Sequence, residues 1–253
     1  MGFAIATMMN HLSSMAQTLI LFTTGEFGLF RLDDAYSTGS SMMPQKRNPD
    51  TLEVMKAKAG VAHGLLMSLL SIGKALFLGY NRDTQWTKYL VMDLVDECAP
   101  APKIMEEILD SLRIDKRKMT SLCQRGFIAA PDLLECVVQE GNISFRQAKE
   151  ALEKAVKYSE AEGVERISIF ALQRALKEEG LKVKMDEKMI GFAQEPRQVV
   201  SRRKAIGGTS PQALRRNTLF LTHSLKISRK WLTKKRNQQS SAQSRLVEME
   251  RNI

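Results

Sequence analysis

Residues 48–76 read NPDTLEVMKAKAGVAHGLLMSLLSIGKAL, and most of the fold follows from them. Asn48 suits a helix N-cap, Pro49 the first helical position and Asp50 the positively polarised first turn. From there Leu52, Met55, Ala59, Ala62, Leu66, Leu69, Gly73 and Leu76 recur every three or four residues, which puts them on one seam of a long helix. Alanine and glycine on that seam let a neighbouring helix approach closely, so the stretch predicts one member of a helical bundle.

The flanking sequence supplies the neighbours. Upstream, Ile5, Met8, Leu12, Met15, Leu19 and Phe22 form a second seam, while Ala4, Ala16 and Ile20 make another face apolar. A helix apolar on more than one side belongs inside a bundle, and this one begins at Met1 with no cap, as though entered midway. Downstream, Leu94, Cys98, Ala101, Met105, Ile108 and Leu112 make a third seam. Pro100 and Pro102 interrupt it, so a kink is expected there. No alternating run is long enough for a substantial sheet. The expected class is all-α, a long-helix antiparallel bundle followed by a smaller helical domain.

Past residue 120 the pattern shortens, with breaks at Pro131, Gly141-Asn142 and Gly163. Ser144-Phe145-Arg146-Gln147 fits a capping box that opens a helix bearing Ala148, Leu152, Ala155 and Val156. Gly207-Gly208-Thr209-Ser210-Pro211 predicts a turn before a last helix from Gln212. The expected division is a bundle segment at 1–120 containing a loop at 34–48, a small helical domain at 121–216, and a basic helix or tail at 217–253.

Composition narrows the class. A chain of 253 residues with 43% hydrophobic and 26% charged residues buries a sizeable core. Cys98, Cys123 and Cys136 are odd in number and lack metal-ligand spacing, so neither a disulfide framework nor a metal site is expected. The longest apolar stretch, Phe3 to Thr24, is interrupted by Asn10, His11, Ser13, Ser14 and Gln17, and no basic segment precedes it. Ala6 stands where myristoylation needs Ser or Thr. Cytoplasmic localisation and no membrane partner are the expectations. Residues 215–253 hold ten Lys or Arg and two Glu, hence +8 of the net +10. Lys226 to Arg236, KISRKWLTKKR, would suit a phosphate backbone, but with Trp231 its only aromatic it reads as a solvated helix, and nucleic acid is not the expected partner.

The loop carries the chemistry. Residues 38–50, TGSSMMPQKRNPD, set two serines near Lys46 and Arg47. A serine hydroxyl becomes a useful base or nucleophile only where positive charge favours the alkoxide. Gly39, Ser40, Ser41, Pro44, Lys46 and Asn48 match the pattern Gly-Ser-Ser-x-x-Pro-x-Lys-x-Asn, and the loop resembles that of the fumarase/aspartase superfamily. With Gln before the lysine and TLEVMKAKAG after Asp50, it is most similar to argininosuccinate lyases. GYNRDTQWTK, GFIAAPDLLE and RRKAIGGTSPQALR extend the resemblance over nearly the whole chain. Departures include Trp86-Thr87, where these lyases commonly show two acids, Pro131 for threonine and Lys149 for histidine.

That resemblance implies β-elimination of argininosuccinate to arginine and fumarate, without cofactor or metal. Carbanion formation demands cations and donors already in place, and Lys46, Asn48 and the start of the helix at Pro49 would supply them. Ser40 matches the catalytic serine, either as the base that takes the Cβ proton or as the acid at the leaving nitrogen with a histidine as base; the base role is expected. Lys46 would favour its alkoxide, and Glu53 matches the glutamate that orients and polarises the catalytic histidine. Ser41, Asn48, Tyr80, Gln85 and Lys88 match substrate-binding positions. His11, His63 and His223 fall in no family motif and read as structural.

The resemblance also implies a homotetramer whose active sites draw on several subunits. The family's amino-terminal region, with its Ser-x-Asn-Asp stretch and its threonine and histidine segment, has no counterpart in these residues. Two principal expectations follow. The chain is the carboxy-terminal part of such a lyase, working with a complementary amino-terminal chain, or it is an inactive truncated fragment acting as a helical self-association module. A basic nucleic-acid-binding protein is the third and weakest.

Overall fold

The computed structural model describes every residue except Ser40, Pro44, Asn252 and Ile253. It is helical, with only four two-residue strands among the described residues, and it divides into compact units at Met1–Thr120 and Ser121–Ile253.

In the first unit α1 (Gly2–Thr23) and α2 (Asp50–Ile72) form the principal pair. The expected kink is a full break: α3 (Thr87–Cys98) ends and α4 (Ala101–Ser111) begins at Ala99 and Pro100. Ala99 still closes the first helix through its N–H to Val95 O (2.8 Å), while the Pro100 carbonyl accepts from Lys103 and Ile104, each at 3.1 Å. One buried cluster gathers Met9, Ala16 and Leu19 with Leu52, Met55, Ala59 and Ala62, and with Leu94, Cys98, Met105 and Ile108. The seam read from α3 with α4 packs from Leu94 to Ile108, and that of α2 packs from Leu52 to Ala62 and partly at Leu69, whereas Gly73 and Leu76 lie past the end of the helix. On α1 the stripe is shifted: Ala6, Met9, Ala16 and Leu19 are buried, while Met15 is 42% exposed. Ala16, small enough for close helix packing, sits in the buried cluster where the periodicity offered Met15.

Asn48 is not the N-cap. Its backbone pairs with Thr38, joining β2 (Thr38–Gly39) to β3 (Arg47–Asn48) in an antiparallel ladder. Pro49 takes the cap position, and its carbonyl accepts from Leu52 (2.9 Å) and Glu53 (3.1 Å). A second short ladder pairs β1 (Phe30–Arg31) with β4 (Arg113–Ile114).

After α5 (Lys116–Leu122), the second unit contains α6 (Ala130–Gly141), α7 (Phe145–Ala161), α8 (Ile169–Glu178), α9 (Glu187–Gln194) and α10 (Pro196–Arg202). Their core sets Leu133, Val137, Leu152, Leu172 and Ile190 among buried alanines. Ser144 and Gln147 form the capping box that opens α7. Buried Gln194 closes the core by a two-way backbone clasp on Ile167, accepting from its N–H and donating to its carbonyl, both at 2.9 Å. Nearly buried Asp132 accepts from Arg203 at 2.7 Å, tying α6 to the chain after α10.

The turn before the last helix requires glycine. Gly207 has φ +80°, and a Cβ on Gly208 would strike the Arg203 carbonyl. Buried Ser210 then accepts from Ala213 N–H (3.1 Å) and starts α11 (Pro211–Arg251), one residue before the expected Gln212.

Candidate active site

The loop at residues 34–48 is fastened at both ends. Asp33 caps the single 3-10 turn Asp34–Tyr36, accepting from Ala35 N–H at 3.0 Å. Tyr36 then reaches across to α4, where its hydroxyl donates to Glu107 (3.1 Å). Burial pushes the Tyr36 phenol above its ordinary range, and the hydrogen bond to Glu107 adds to the shift. At the other end the Thr51 hydroxyl, in the first turn of α2, donates to Tyr36 O at 3.0 Å. Thr38 donates to Asp50, and Arg47 pairs with Asp34 at 3.1 Å. With the β2–β3 ladder, these contacts return the chain to the foot of α2.

Between those anchors Ser41, Met42, Met43, Gln45 and Lys46 are exposed, and Lys46 N–H closes a turn on Met43 O at 3.0 Å. Ser40, the expected catalytic serine, lies outside the described residues, as does Pro44. Asn48 is half-buried in β3, and Glu53 is exposed in the first turn of α2. None of His11, His63 and His223 is buried, and no recorded hydrogen bond joins any of them to Glu53.

A cleft of about 580 Å³ opens beside β3, lined by Thr23, Thr24, Arg31, Gln45, Arg47 and Asn48 among others. No carboxylate is among its described lining residues, while two guanidinium groups and two amides are. Arg47 is paired with Asp34, so an anionic ligand there would rely on Arg31, whose fork matches a carboxylate, and on the two amides. Arg31 and Arg47 were not singled out from the sequence. Arg47 could have been found from its place beside Lys46, whereas Arg31 lies on another element, β1, outside any motif.

The other expected substrate-binding residues form a separate group on the approach to α3. Gln85 donates to the Tyr80 hydroxyl. Asn81 shapes the turn by donating to Phe77 O (2.7 Å) and Gly79 O (3.2 Å). The Lys88 ammonium lies 4.9 Å from the Tyr89 ring centroid, and that ring meets Trp86 edge-on at 5.4 Å. Tyr80, Gln85 and Lys88 are all exposed. The structure thus brings Tyr80 to Gln85 and holds Lys46 and Asn48 by the start of α2, but no recorded hydrogen bond or ion pair among the described residues links the two groups.

Comparison with known proteins adds to this geometry. A family described as "Lyase" matches residues 1–64. An argininosuccinate lyase from Caldicellulosiruptor saccharolyticus is 37% identical over 218 residues, covering 85% of this chain and 46% of that protein. One from Campylobacter hominis is 35% identical over 232 residues, covering 92% of this chain and 48% of its own length. The chain therefore spans about half the length of the curated relatives it matches. Among solved structures, EDDS lyase in complex with formate superposes with a TM-score of 0.77 at 24% identity, over 92% of this chain and 47% of that one. A fumarate lyase from Mesorhizobium sp. BNC1 does so at 0.58 and 14% identity, over 78% and 42%. At those identities the likeness establishes the helical fold.

Proposed function

Because the chain belongs to the argininosuccinate lyases of the fumarase/aspartase superfamily, we propose that it contributes the substrate loop of a carbon–nitrogen lyase that splits argininosuccinate into arginine and fumarate. The observation that carries this reading is the pinned hairpin: its ends are tied to α2 and α4, and it holds Lys46 and Asn48 where α2 begins. Proton removal from Cβ leaves negative charge on the adjoining carboxylate, and the positive end of α2 with Lys46 and Asn48 stabilises it. In this reading Ser40 takes the proton, Lys46 holds its alkoxide, and Glu53 orients a histidine from further polypeptide. Ser41, Tyr80, Gln85 and Lys88 bind substrate.

The complete site needs the threonine and histidine segment and the amino-terminal asparagine of the family, either continuous with these 253 residues or on other subunits of a cytoplasmic homotetramer. These residues alone are therefore expected to give no measurable fumarate. Supplying an amino-terminal half from a relative should restore fumarate formation, followed by its ultraviolet absorbance. In the restored assembly Ser40→Ala should lower kcat by ~10³-fold or more while leaving the sedimentation profile unchanged. Turnover by these residues alone, or an active Ser40→Ala assembly, would refute the respective assignment.

A second reading is an inactive self-association module, favoured by the large apolar residues left exposed on α1 and α2, among them Phe3, Met15, Val61, Met67 and Leu70. Association without restored activity in the same experiment would support it.

A further inference from the structure

The elimination chemistry leaves α11 without a role. Eight cations lie between Arg215 and Arg236, and no acidic residue occurs from Pro196 to Val247. A solvated helix ordinarily interleaves acids at i,i+4 to offset such charge. Here Lys226, Lys230 and Lys234 follow one another at that spacing with no acid between them. Among the described residues no ion pair engages any of the eight; Arg216 donates to Lys204 O at 3.3 Å. The cations await an anion from outside the helix.

The same segment is divided into faces. At 3.6 residues per turn Leu214, Leu221, Leu225 and Leu232 fall in one row and Phe220, Ile227 and Trp231 in a second about a third of a turn away, with Asn217, Ser224, Ser228 and Lys235 between them. All seven are exposed. Arg215, Lys226 and Lys230 lie on the opposite side, with Arg216 and Lys234 along one border of the apolar face, Arg229 and Arg236 along the other, and Lys235 between the two apolar rows. Leu219 is the exception, an exposed apolar residue on the cationic side.

Three anionic or apolar partners compete for such a helix. A polynucleotide would use the cations but leave seven bulky apolar side chains in water. A second copy of α11 would cover the apolar rows but bring like charges together along their borders. An anionic bilayer satisfies both faces, since the apolar rows enter the acyl boundary while the bordering arginines and lysines, and Lys235 on its long stem between the rows, reach the headgroups. No helix among the described residues is long and apolar enough to cross a membrane. We propose that Leu214 to Arg236 of α11 lies on an anionic lipid surface and docks this chain there. The proposal is independent of the catalytic reading. It revises the expectation of no membrane partner, which rested on the lack of a spanning segment and not on what could lie along a surface.

The test uses the full chain carrying Trp86→Phe, so that Trp231 is the only tryptophan. Cosedimentation and Trp231 emission are followed with vesicles of phosphatidylcholine, or of phosphatidylcholine and phosphatidylglycerol in equal parts. Partitioning should favour the anionic vesicles by ~tenfold or more at low salt, with a blue shift of Trp231. Arg229→Glu with Lys230→Glu should lose most of that preference. Leu221→Ser, Leu225→Ser and Leu232→Ser together should reduce binding by ~tenfold or more, although every cation remains. Equal binding to both vesicles, or none, overturns the proposal. So does duplex DNA that displaces the vesicles and still binds the triple serine variant, which would assign the helix to nucleic acid. Lipid-independent self-association abolished by the serine substitutions would assign it to a second copy.

Discussion

The α6 to α9 group and the first compact unit treat their apolar residues differently. In α6 to α9, Leu133, Val137, Leu152, Leu172 and Ile190 close around Ala148, Ala151, Ala155, Ala171 and Ala175, and polar clasps at Gln194 and Asp132 seal the edges. In the first unit, α1 and α2 bury one stripe against each other and against α3 and α4, yet leave Phe3, Met15, Val54, Val61, Met67 and Leu70 exposed. The α6 to α9 group encloses its aliphatic core, although Phe145, Phe170 and Phe192 remain exposed. The other carries an inner seam and an outer face, as a helix does when it belongs to a larger bundle. The hairpin with Lys46 and Asn48 is attached to the second kind of region, at the start of α2.

Stability measurements can break this comparison. Leu133→Ala should cost about 2–5 kcal/mol in urea unfolding, because the fully buried side chain leaves a cavity among its neighbours. Met67→Ser with Leu70→Ser should cost under ~0.5 kcal/mol each, as expected of substitutions at exposed sites, while weakening any self-association seen in sedimentation. A core-sized loss from the exposed pair would mean that the outer face of α2 is covered within the chain.

A smaller effect sharpens the account of the second unit. Ser144→Ala removes the side chain that accepts from Gln147 N–H at 3.3 Å and takes away one half of the capping box. The expected loss is about 1 kcal/mol. Amide exchange should accelerate in the first turn of α7 before it does in α8.

The smallest effect is one of pH. Glu178 accepts from Tyr158 at 2.6 Å and from Arg174 at 3.1 Å. These contacts hold its carboxyl below the ordinary range, the Tyr158 bond first. A lowered carboxyl contributes stability above its unfolded value and loses it as pH falls through the folded one. The Tyr158 phenol is shifted upward, chiefly by its bond to Glu178, so its contribution is complete below the unfolded tyrosine value and is lost as pH rises through the folded one. Glu178→Gln should therefore flatten both the acid limb below the carboxylate range and the alkaline limb. An unchanged profile would show that the exposed cluster is decoupled from folding.

Much of this was legible in the primary structure because it depends on local periodicity. The seams of α2, α3 and α4, the break at Pro100 and the capping box at Ser144 each rest on residues a few positions apart, where helix geometry leaves one arrangement. Readings failed where a distant partner intervened. Asn48 has the chemistry of an N-cap, but pairing with Thr38 drew its backbone into a strand and passed the cap to Pro49. Met15 fits the α1 periodicity as well as Ala16 does, and the folded bundle buries the alanine.

The candidate site divides along the same line. The order Gly39, Ser40, Ser41, Lys46, Asn48 and the first-turn acids Asp50 and Glu53 are properties of the chain, and with them came the superfamily and the elimination chemistry they suggest. The cleft was not readable, because the stretch from Thr23 to Leu32 and the hairpin bearing Gln45, Arg47 and Asn48 meet only in the folded chain. Pairing of such short strands has no signature of its own in two residues; it is decided by the helices that hold their ends. The sequence by itself determined a helical chain with a cationic hydroxyl-rich loop. Tertiary structure decided which donors meet beside that loop, because their convergence depends on contacts between residues far apart in the chain.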